Sequence, residues 1–173
     1  MMVQVIAPPT QMPVSLDTAK LHLRVDGTVE DDLITIYLQA ATARAENITG
    51  RALITQTLRE RFPRCAGDVE LTRWPVQSIV SVTSAGEDVA GYTFEPGDNA
   101  TLCGLPRGTI VATYKAGYGD TADAVPEPIV QWILATVGTF YENRETEIAD
   151  NRAATVSLSY LDSLLDAYRI WSA

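Results

Sequence analysis

The sequence predicts an α+β fold that is mainly α, a helical bundle of N- and C-terminal helices with a small antiparallel β region inserted between them. In the first and last thirds of the chain, apolar residues recur every three or four positions, the period of a helix with one buried face. In the middle third, short β-prone runs are separated by turn-forming residues. This order of patterns favours a single domain over residues 1–173.

The composition and net charge of the chain argue against several classes of protein. A domain of this size buries roughly 70% of its unfolded surface, enough for a core without disulfides. The chain is 46% hydrophobic and 20% charged, values that argue against wholesale disorder. Its net charge of −9 argues against a nucleic-acid clamp, although an acidic surface could line a channel through which DNA slides. With no signal peptide and no long apolar run, a cytosolic protein without membrane contact is expected.

Residues 1–14 are expected to form an extended arm, because they are rich in proline and follow neither period. Two interpretations of this arm stay open. It is either a frayed terminus or a segment that lies on a neighbouring subunit, where Val3, Val5 and Ile6 would leave water.

Residues 15–50 are expected to hold two helices. Ser15 is a good N-cap for the first helix, and Gly50 suits the left-handed residue that ends the second. The second helix has apolar residues at spacings of three and four that predict its buried stripe, namely Ile34, Leu38, Ala41, Ala45 and Ile48.

Residues 53–115 are expected to be the β insert. The strands predicted within it are 55–62, 69–71, 76–83, 92–95 and 109–114. In the first of these strands Leu58, Glu60 and Phe62 alternate with Thr57, Arg59 and Arg61.

Residues 126–145 are predicted to form a long helix, whose first turn accommodates Pro126 or Pro128. Its apolar face is predicted to be Ile129, Ile133, Val137, Phe140 and Tyr141. A polar loop is expected over 146–158, followed by a C-terminal helix and tail over 159–171 that Ser159 caps.

The residue types that carry catalysis or bind metals form no recognisable site. His22 is the one histidine and has no second histidine or nearby cysteine, so a structural or surface role is expected. Gly117-Tyr118-Gly119 lacks the Gly-Lys-Ser/Thr of a phosphate loop, which favours a tight turn. Cys65 and Cys103 have no metal or redox spacing and are expected to be free thiols. No catalytic residue, metal or cofactor is therefore predicted.

Two polar clusters are candidates for an interface with other subunits. The end of the long helix carries Glu142, Asn143, Arg144 and Glu145, where arginine could form bidentate pairs with carboxylates. The tail carries Tyr168, Arg169 and Trp171, residue types enriched in binding hot spots. For each cluster an interpretation without a binding role also stays open. The first could be a solvated helix end, and the second could pack onto the chain's own helices.

Blocks of sequence occur in a fixed order along the chain: residues 13–17, 49–57, 116–119, 125–128, 141–145 and the Tyr168-Arg169 pair. In this order they resemble the head–tail connector (head-completion adaptor) family of long-tailed bacteriophages and prophages. The resemblance covers residues 13–62 and 109–170, while residues 63–108 match poorly and could contact a phage-specific partner.

The resemblance implies a structural protein rather than an enzyme, with a helical bundle and an inserted β region. It implies a virion protein of the head–tail junction, made in the host cytoplasm. About twelve copies would form a ring beneath the portal, built from one heterologous contact. The implied partners are the portal protein and a stopper or tail protein, with DNA passing through the channel without sequence-specific binding. Such a protein could be a monomer when alone, since ordering arms and loops costs free energy.

Two alternatives stay open on sequence alone. One is a tail-completion protein, which is also structural but lies one layer further from the capsid. The other is a small cytosolic enzyme, which would need a concave pocket lined by at least two carboxylates with strongly perturbed pKa values.

Overall fold

The computed structural model describes residues 2–97, 99–143 and 159–170. The chain divides into two compact units, each built from two stretches of sequence. Residues 1–11 and 50–120 form the first, called here the sheet unit, and residues 12–49 and 121–173 form the second, called the helical unit.

The sheet unit contains two antiparallel sheets. Its strands are β1 Met2–Ala7, β2 Gln56–Cys65, β3 Val69–Glu70, β4 Val76–Ser84, β5 Glu87–Asp88, β6 Thr93–Glu95, β7 Thr101–Cys103 and β8 Gly108–Ala116. The larger sheet has the order β1-β2-β8-β4-β5, and the smaller has the order β3-β7-β6. The five strands predicted from the sequence are all present, as β2, β3, β4, β6 and β8.

The fold is a mixed α+β fold, and the prediction of a mainly α fold with a small β region understated the sheets. Three strands were not predicted: β1, β5 and β7. β5 and β7 are two and three residues long, too short to show an alternating pattern. They exist because a neighbouring strand supplies their hydrogen bonds, which is a long-range effect.

The predicted arm is part of the chain's own sheet over its first half. β1 pairs antiparallel with β2, with Val3 opposite Glu60 and Val5 opposite Leu58. Val5 nevertheless remains 51% exposed and Ile6 42% exposed, because β1 lies at the edge of the sheet. The proline-rich context hid a strand whose partner begins 49 residues later in the sequence.

The central strands β2 and β8 have one buried and one exposed face. Residues directly opposite each other on paired strands share a face. Leu58 opposite Tyr114 and Phe62 opposite Ile110 are buried, whereas Arg59, Arg61 and Lys115 lie on the other face and are exposed. The alternation read from the sequence of β2 therefore predicted its two faces correctly.

One carboxylate lies on the buried face. Glu60 is fully buried, and its Oε2 accepts a hydrogen bond from the Tyr114 hydroxyl and another from the Thr72 backbone N–H, each 3.1 Å long. Burial raises the pKa of Tyr114, and the charge and hydrogen bond of Glu60 raise it further, while Arg73 opposes the shift. The phenol thus stays a neutral donor to the carboxylate.

The helical unit consists of α1 Leu16–Leu23, α2 Asp31–Thr49, α3 Glu127–Glu142 and α4 Ser159–Asp162, with 3-10 helices at Ala122–Ala124 and Ser163–Tyr168. Ser15 caps α1 by accepting a hydrogen bond from Thr18 N–H, and Gly50 follows α2 with a φ of 71°, both as predicted. The stripe predicted on α2 is buried at Ile34, Leu38, Ala41 and Ala45, while Ile48 is half-buried. α2 packs against α3, and α1 contacts both of these helices.

In α3, Ile129, Ile133 and Val137 are buried as predicted, whereas Phe140 and Tyr141 are half-buried. Phe140 lies beside Tyr37 of α2, with ring centroids 6.1 Å apart. Within the described ranges, no helix combines the length and the apolar character needed to cross a membrane.

Gly117 lets two backbone segments approach each other closely after β8. Its φ is 143°, and an added Cβ would lie 2.5 Å from the Thr55 nitrogen and 2.7 Å from the Ile54 oxygen. Tyr118 N–H donates to Leu53 O, and Thr55 N–H donates to Gly119 O. The Gly117-Tyr118-Gly119 segment therefore runs parallel to residues 53–55 in close backbone contact.

We expect Gly117→Ala to destabilise the protein by about 2–3 kcal/mol, because the new methyl group meets rigid backbone and the φ is strained. Gly67→Ala is the matched control, since Gly67 has a φ of 138° but nothing within 4 Å of an added Cβ. Chemical denaturation of both variants measures the difference. Equal losses of stability would show that backbone strain, and not close approach, fixes the glycine at 117.

Candidate subunit-interface site

The one histidine and the two cysteines lie within the described residues, on α1, β2 and β7. The Cys65 and Cys103 thiols are free. Desolvation, followed by the nearby charges of Glu95 and Asp68, raises the pKa of the Cys103 thiol and so disfavours its reactive thiolate form. His22 lies on α1, with its Nε2 3.7 Å from the position of a Cβ built on Gly138 of α3. Among the described residues, no group of three or more metal-ligating side chains is placed to hold an ion.

One open depression on the helical unit has carboxylates at its wall. It has a volume of about 530 Å³. Its lining includes the exposed Asp123 and Glu127 together with the apolar Val14 and Val125. The depression lies beside the capped start of α1 at Ser15. No histidine or cysteine lines it, so its described lining offers no nucleophile with an adjacent imidazole base.

The first predicted cluster lies where α3 ends. Asn143 folds back onto the helix, with its backbone N–H and its side-chain Nδ2 both donating to Thr139 O at 3.0 and 3.1 Å. Glu142 and Asn143 are exposed, whereas the preceding Tyr141 donates from its hydroxyl to Glu30 Oε2 at 2.5 Å. This contact fixes the end of α3 against the start of α2. Arg144 and Glu145 lie outside the described residues.

The second predicted cluster lies on a segment that packs onto the chain's own helices. Leu165 of this segment is fully buried, and Ile170 N–H donates to Thr49 O at the end of α2. The Arg169 guanidinium lies 3.3 Å from Asp166 and 4.0 Å from Asp162, and Tyr168 is half-buried. Trp171 lies outside the described residues.

Asp162 ties this segment to the long helix as well. Trp132 Nε1–H donates to Asp162 Oδ1 at 3.0 Å, and the Arg44 guanidinium of α2 lies 5.9 Å from the centre of the Trp132 ring. Trp132 itself is 1% exposed. The C-terminal segment is thus anchored by a buried leucine, a backbone hydrogen bond and an indole–carboxylate hydrogen bond.

The described residues of the two predicted clusters lie at opposite ends of α2. Glu142 and Asn143 lie near Glu30 at the start of α2, while Arg169 and Ile170 lie near Thr49 at its end. A helix of 19 residues is about 28 Å long. Sequence reasoning identified two polar segments but could not show that one helix separates them, because both contacts join residues over 100 positions apart.

A comparison with protein-family models matches residues 13–170 to the family described as phage gp6-like head-tail connector protein. A comparison with curated proteins found no match. The match covers both blocks of the resemblance and also the middle of the chain.

Solved structures from gene transfer agent (GTA) particles share the fold. A chain from the neck of an empty particle, computed with C6 symmetry, has a TM-score of 0.83 and 22% identity. A chain from the native virion has a TM-score of 0.81 and 21% identity. A chain from the native neck, computed with C12 symmetry, has a TM-score of 0.79 and 19% identity. Each alignment covers 100% of this chain and 97% of the other.

We expect Leu165→Ala to cost about 2–5 kcal/mol of stability, because the side chain is fully buried in the helical unit. Leu164→Ala is the matched control, since its neighbouring leucine is only half-buried. Thermal unfolding followed by circular dichroism measures both. If the two variants unfolded at the same temperature, the C-terminal segment would not be part of the core.

Proposed function

The chain belongs to the phage gp6-like head-tail connector family, and from this membership we propose that it acts as one subunit of a ring beneath the portal. The family assignment makes it a structural protein of the head–tail junction and not an enzyme. The proposed ring holds about twelve copies, extends the DNA channel and offers a platform for a stopper or tail protein. The observation that carries the proposal is the length of the family match, residues 13–170.

That match also supports one connector domain over the whole chain, because it includes most of the sheet unit and most of the helical unit. Within the helical unit, the mutual contacts of α1, α2 and α3 support the helical bundle that the resemblance implies. The structures of similar fold come from particle necks solved with C6 and C12 symmetry, and this supports a cyclic assembly for the present chain.

We place the subunit and portal contacts at the two predicted clusters. A ring needs a heterologous interface, in which two different surfaces of each subunit meet. The exposed Glu142 and Asn143 lie at one end of α2, and Tyr168 and Arg169 lie at the other. With Arg144, Glu145 and Trp171 added from the sequence, these ends provide two separate surfaces. The C-terminal segment is assigned to the portal and the β insert to the tail side.

Mixing the purified protein with its cognate portal ring tests the function, with total mass followed by light scattering. We expect the mass to rise by the equivalent of about twelve bound copies, since a cyclic ring binds as a closed unit. The protein alone, measured at the same concentration, shows whether the ring needs the portal as a template. No association at low salt, where charge pairs are least screened, would favour the tail-completion alternative.

Point substitutions are better tests of the portal surface than truncation after Asp150, because truncation also removes the buried Leu165. We expect the double variant Tyr168→Ala and Arg169→Ala to weaken portal binding at least about tenfold, since these residue types dominate hot spots. The control is Gln39→Ala, an exposed and uncharged residue of α2. Unchanged portal affinity in the double variant, with circular dichroism showing a folded protein, would contradict the assignment of this segment to the portal.

A further inference from the structure

The exposed face of the five-stranded sheet carries a line of three cations. Arg59 and Arg61 are two residues apart on β2, so their Cα atoms are about 7 Å apart. Lys115 of β8 lies opposite Thr57, which makes it a diagonal neighbour of Arg59 at about 7–8 Å. All three side chains are exposed.

The rest of this face is almost free of acidic residues. The strand registers place Gln4, Thr113, Ser78, Ser81 and Thr83 on it, all of them uncharged. The one carboxylate placed there by the strand registers is Asp88 of β5, opposite Thr83 at the far edge. Asp88 is three strands away from Arg61, which corresponds to about 14 Å.

The side chains of Arg59, Arg61 and Lys115 form no ion pair or hydrogen bond with any described residue. This is unusual in a chain that has 22 acidic and 13 basic residues. Like charges on neighbouring positions of a sheet repel each other and destabilise it. A face that holds three such charges together, without a carboxylate among them, is suited to an anionic partner.

The chain itself has a complementary surface charge on its other unit. The helical unit contains 14 acidic and 6 basic residues, a net charge of −8, while the sheet unit contains 8 acidic and 7 basic residues, a net charge of −1. Exposed carboxylates of the helical unit include Asp17, Asp32, Glu127 and Glu142. The negative charge of the protein is therefore concentrated in the helical unit, whereas the basic face belongs to the sheet unit.

We propose that Arg59, Arg61 and Lys115 form the basic half of the contact between subunits, and that they dock on the acidic helical unit of the next copy, which carries the exposed Glu142 of the first predicted cluster. The rest of the β insert is then the part that faces the tail side. This inference rests on the proposed ring. Head-to-tail contact requires two different surfaces on one chain, and opposite charges on those surfaces would steer the copies together and reject contacts between like surfaces.

The proposed contact can be detected by cross-linking, because the sequence contains few lysines. Lys115 is one of two lysines in the sequence, and the other, Lys20, is paired with Asp31 at 2.6 Å. We expect a zero-length carbodiimide cross-linker, applied to portal-bound rings of mixed isotopically light and heavy copies, to join Lys115 of one copy to a carboxylate of another. The expected carboxylate lies in residues 12–49 or 121–173. Cross-links from Lys115 only to the portal, or to no other copy, would overturn the proposal.

Charge reversal gives an independent test. The double variant Arg59→Glu and Arg61→Glu should need a protein concentration at least about tenfold higher to form rings on the portal. Wild-type ring formation should weaken as salt is added. Arg64→Glu with Arg107→Glu is the control of equal charge, since both arginines are exposed on the sheet unit. Normal assembly of the first variant would overturn this proposal alone, whereas failure of the wild-type protein to bind the portal would overturn the proposed function.

DNA is the competing anionic partner, and the same variants separate it. If the wild-type protein bound a short DNA duplex at low salt, and Arg59→Glu with Arg61→Glu lost that binding while still forming normal rings, the face would be a phosphate contact. That result would overturn the subunit-contact proposal.

Discussion

The antiparallel pairing of β2 with β8 is the constraint on which the rest of the sheet unit depends. These strands pair from Gln56 opposite Ala116 to Phe62 opposite Ile110, and they lie between β1 on one side and β4 on the other. Side chains on a strand alternate with a period of two, so a slip of one residue would exchange the buried and exposed faces. Leu58 and Phe62 would then face solvent, and Arg59 and Arg61 would enter the core. Such a slip is prohibitive, because buried unpaired charges are costly.

The buried Glu60 adds a polar requirement to this apolar pattern. Its Oε2 is held by the Tyr114 hydroxyl from β8 and by Thr72 N–H from the segment before β4. An isolated buried carboxylate would be destabilising, but one that accepts two directed hydrogen bonds can be retained, and it favours the register that supplies them. Burial and the Glu60 charge raise the pKa of Tyr114, so the phenol keeps the proton that this arrangement needs. The interaction therefore links three segments of the sheet unit.

In the helical unit, α2 plays the corresponding organising role. Its buried stripe packs against α3, Tyr141 of α3 reaches Glu30 just before its start, and Ile170 reaches Thr49 at its end. The described residues of the two predicted clusters consequently lie at opposite ends of one helix. A structural protein of this family needs defined surfaces and not a reactive pocket, and preorganised surfaces lower the entropic cost of assembly.

The sequence alone determined the features that depend on local period and on local backbone chemistry. The stripe of α2, the alternation of β2, the N-cap at Ser15 and the left-handed Gly50 could all be read from spacing and residue type, since each depends on near neighbours in the chain. The order of the sequence blocks also indicated the connector family. The missing Gly-Lys-Ser/Thr also led to the interpretation of Gly117-Tyr118-Gly119 as a tight turn and not a phosphate loop.

Only the tertiary structure decided which distant segments meet. β1 became a strand because β2 offered a partner, and the two predicted clusters were separated because α2 lies between them. The line formed by Arg59, Arg61 and Lys115 likewise depends on the register of β2 against β8, which joins residues more than 50 positions apart. Periodicity predicts which side of a helix or strand is apolar, but it does not predict which other element packs against that side. The pairing of elements is fixed by the free energy of the whole packed chain.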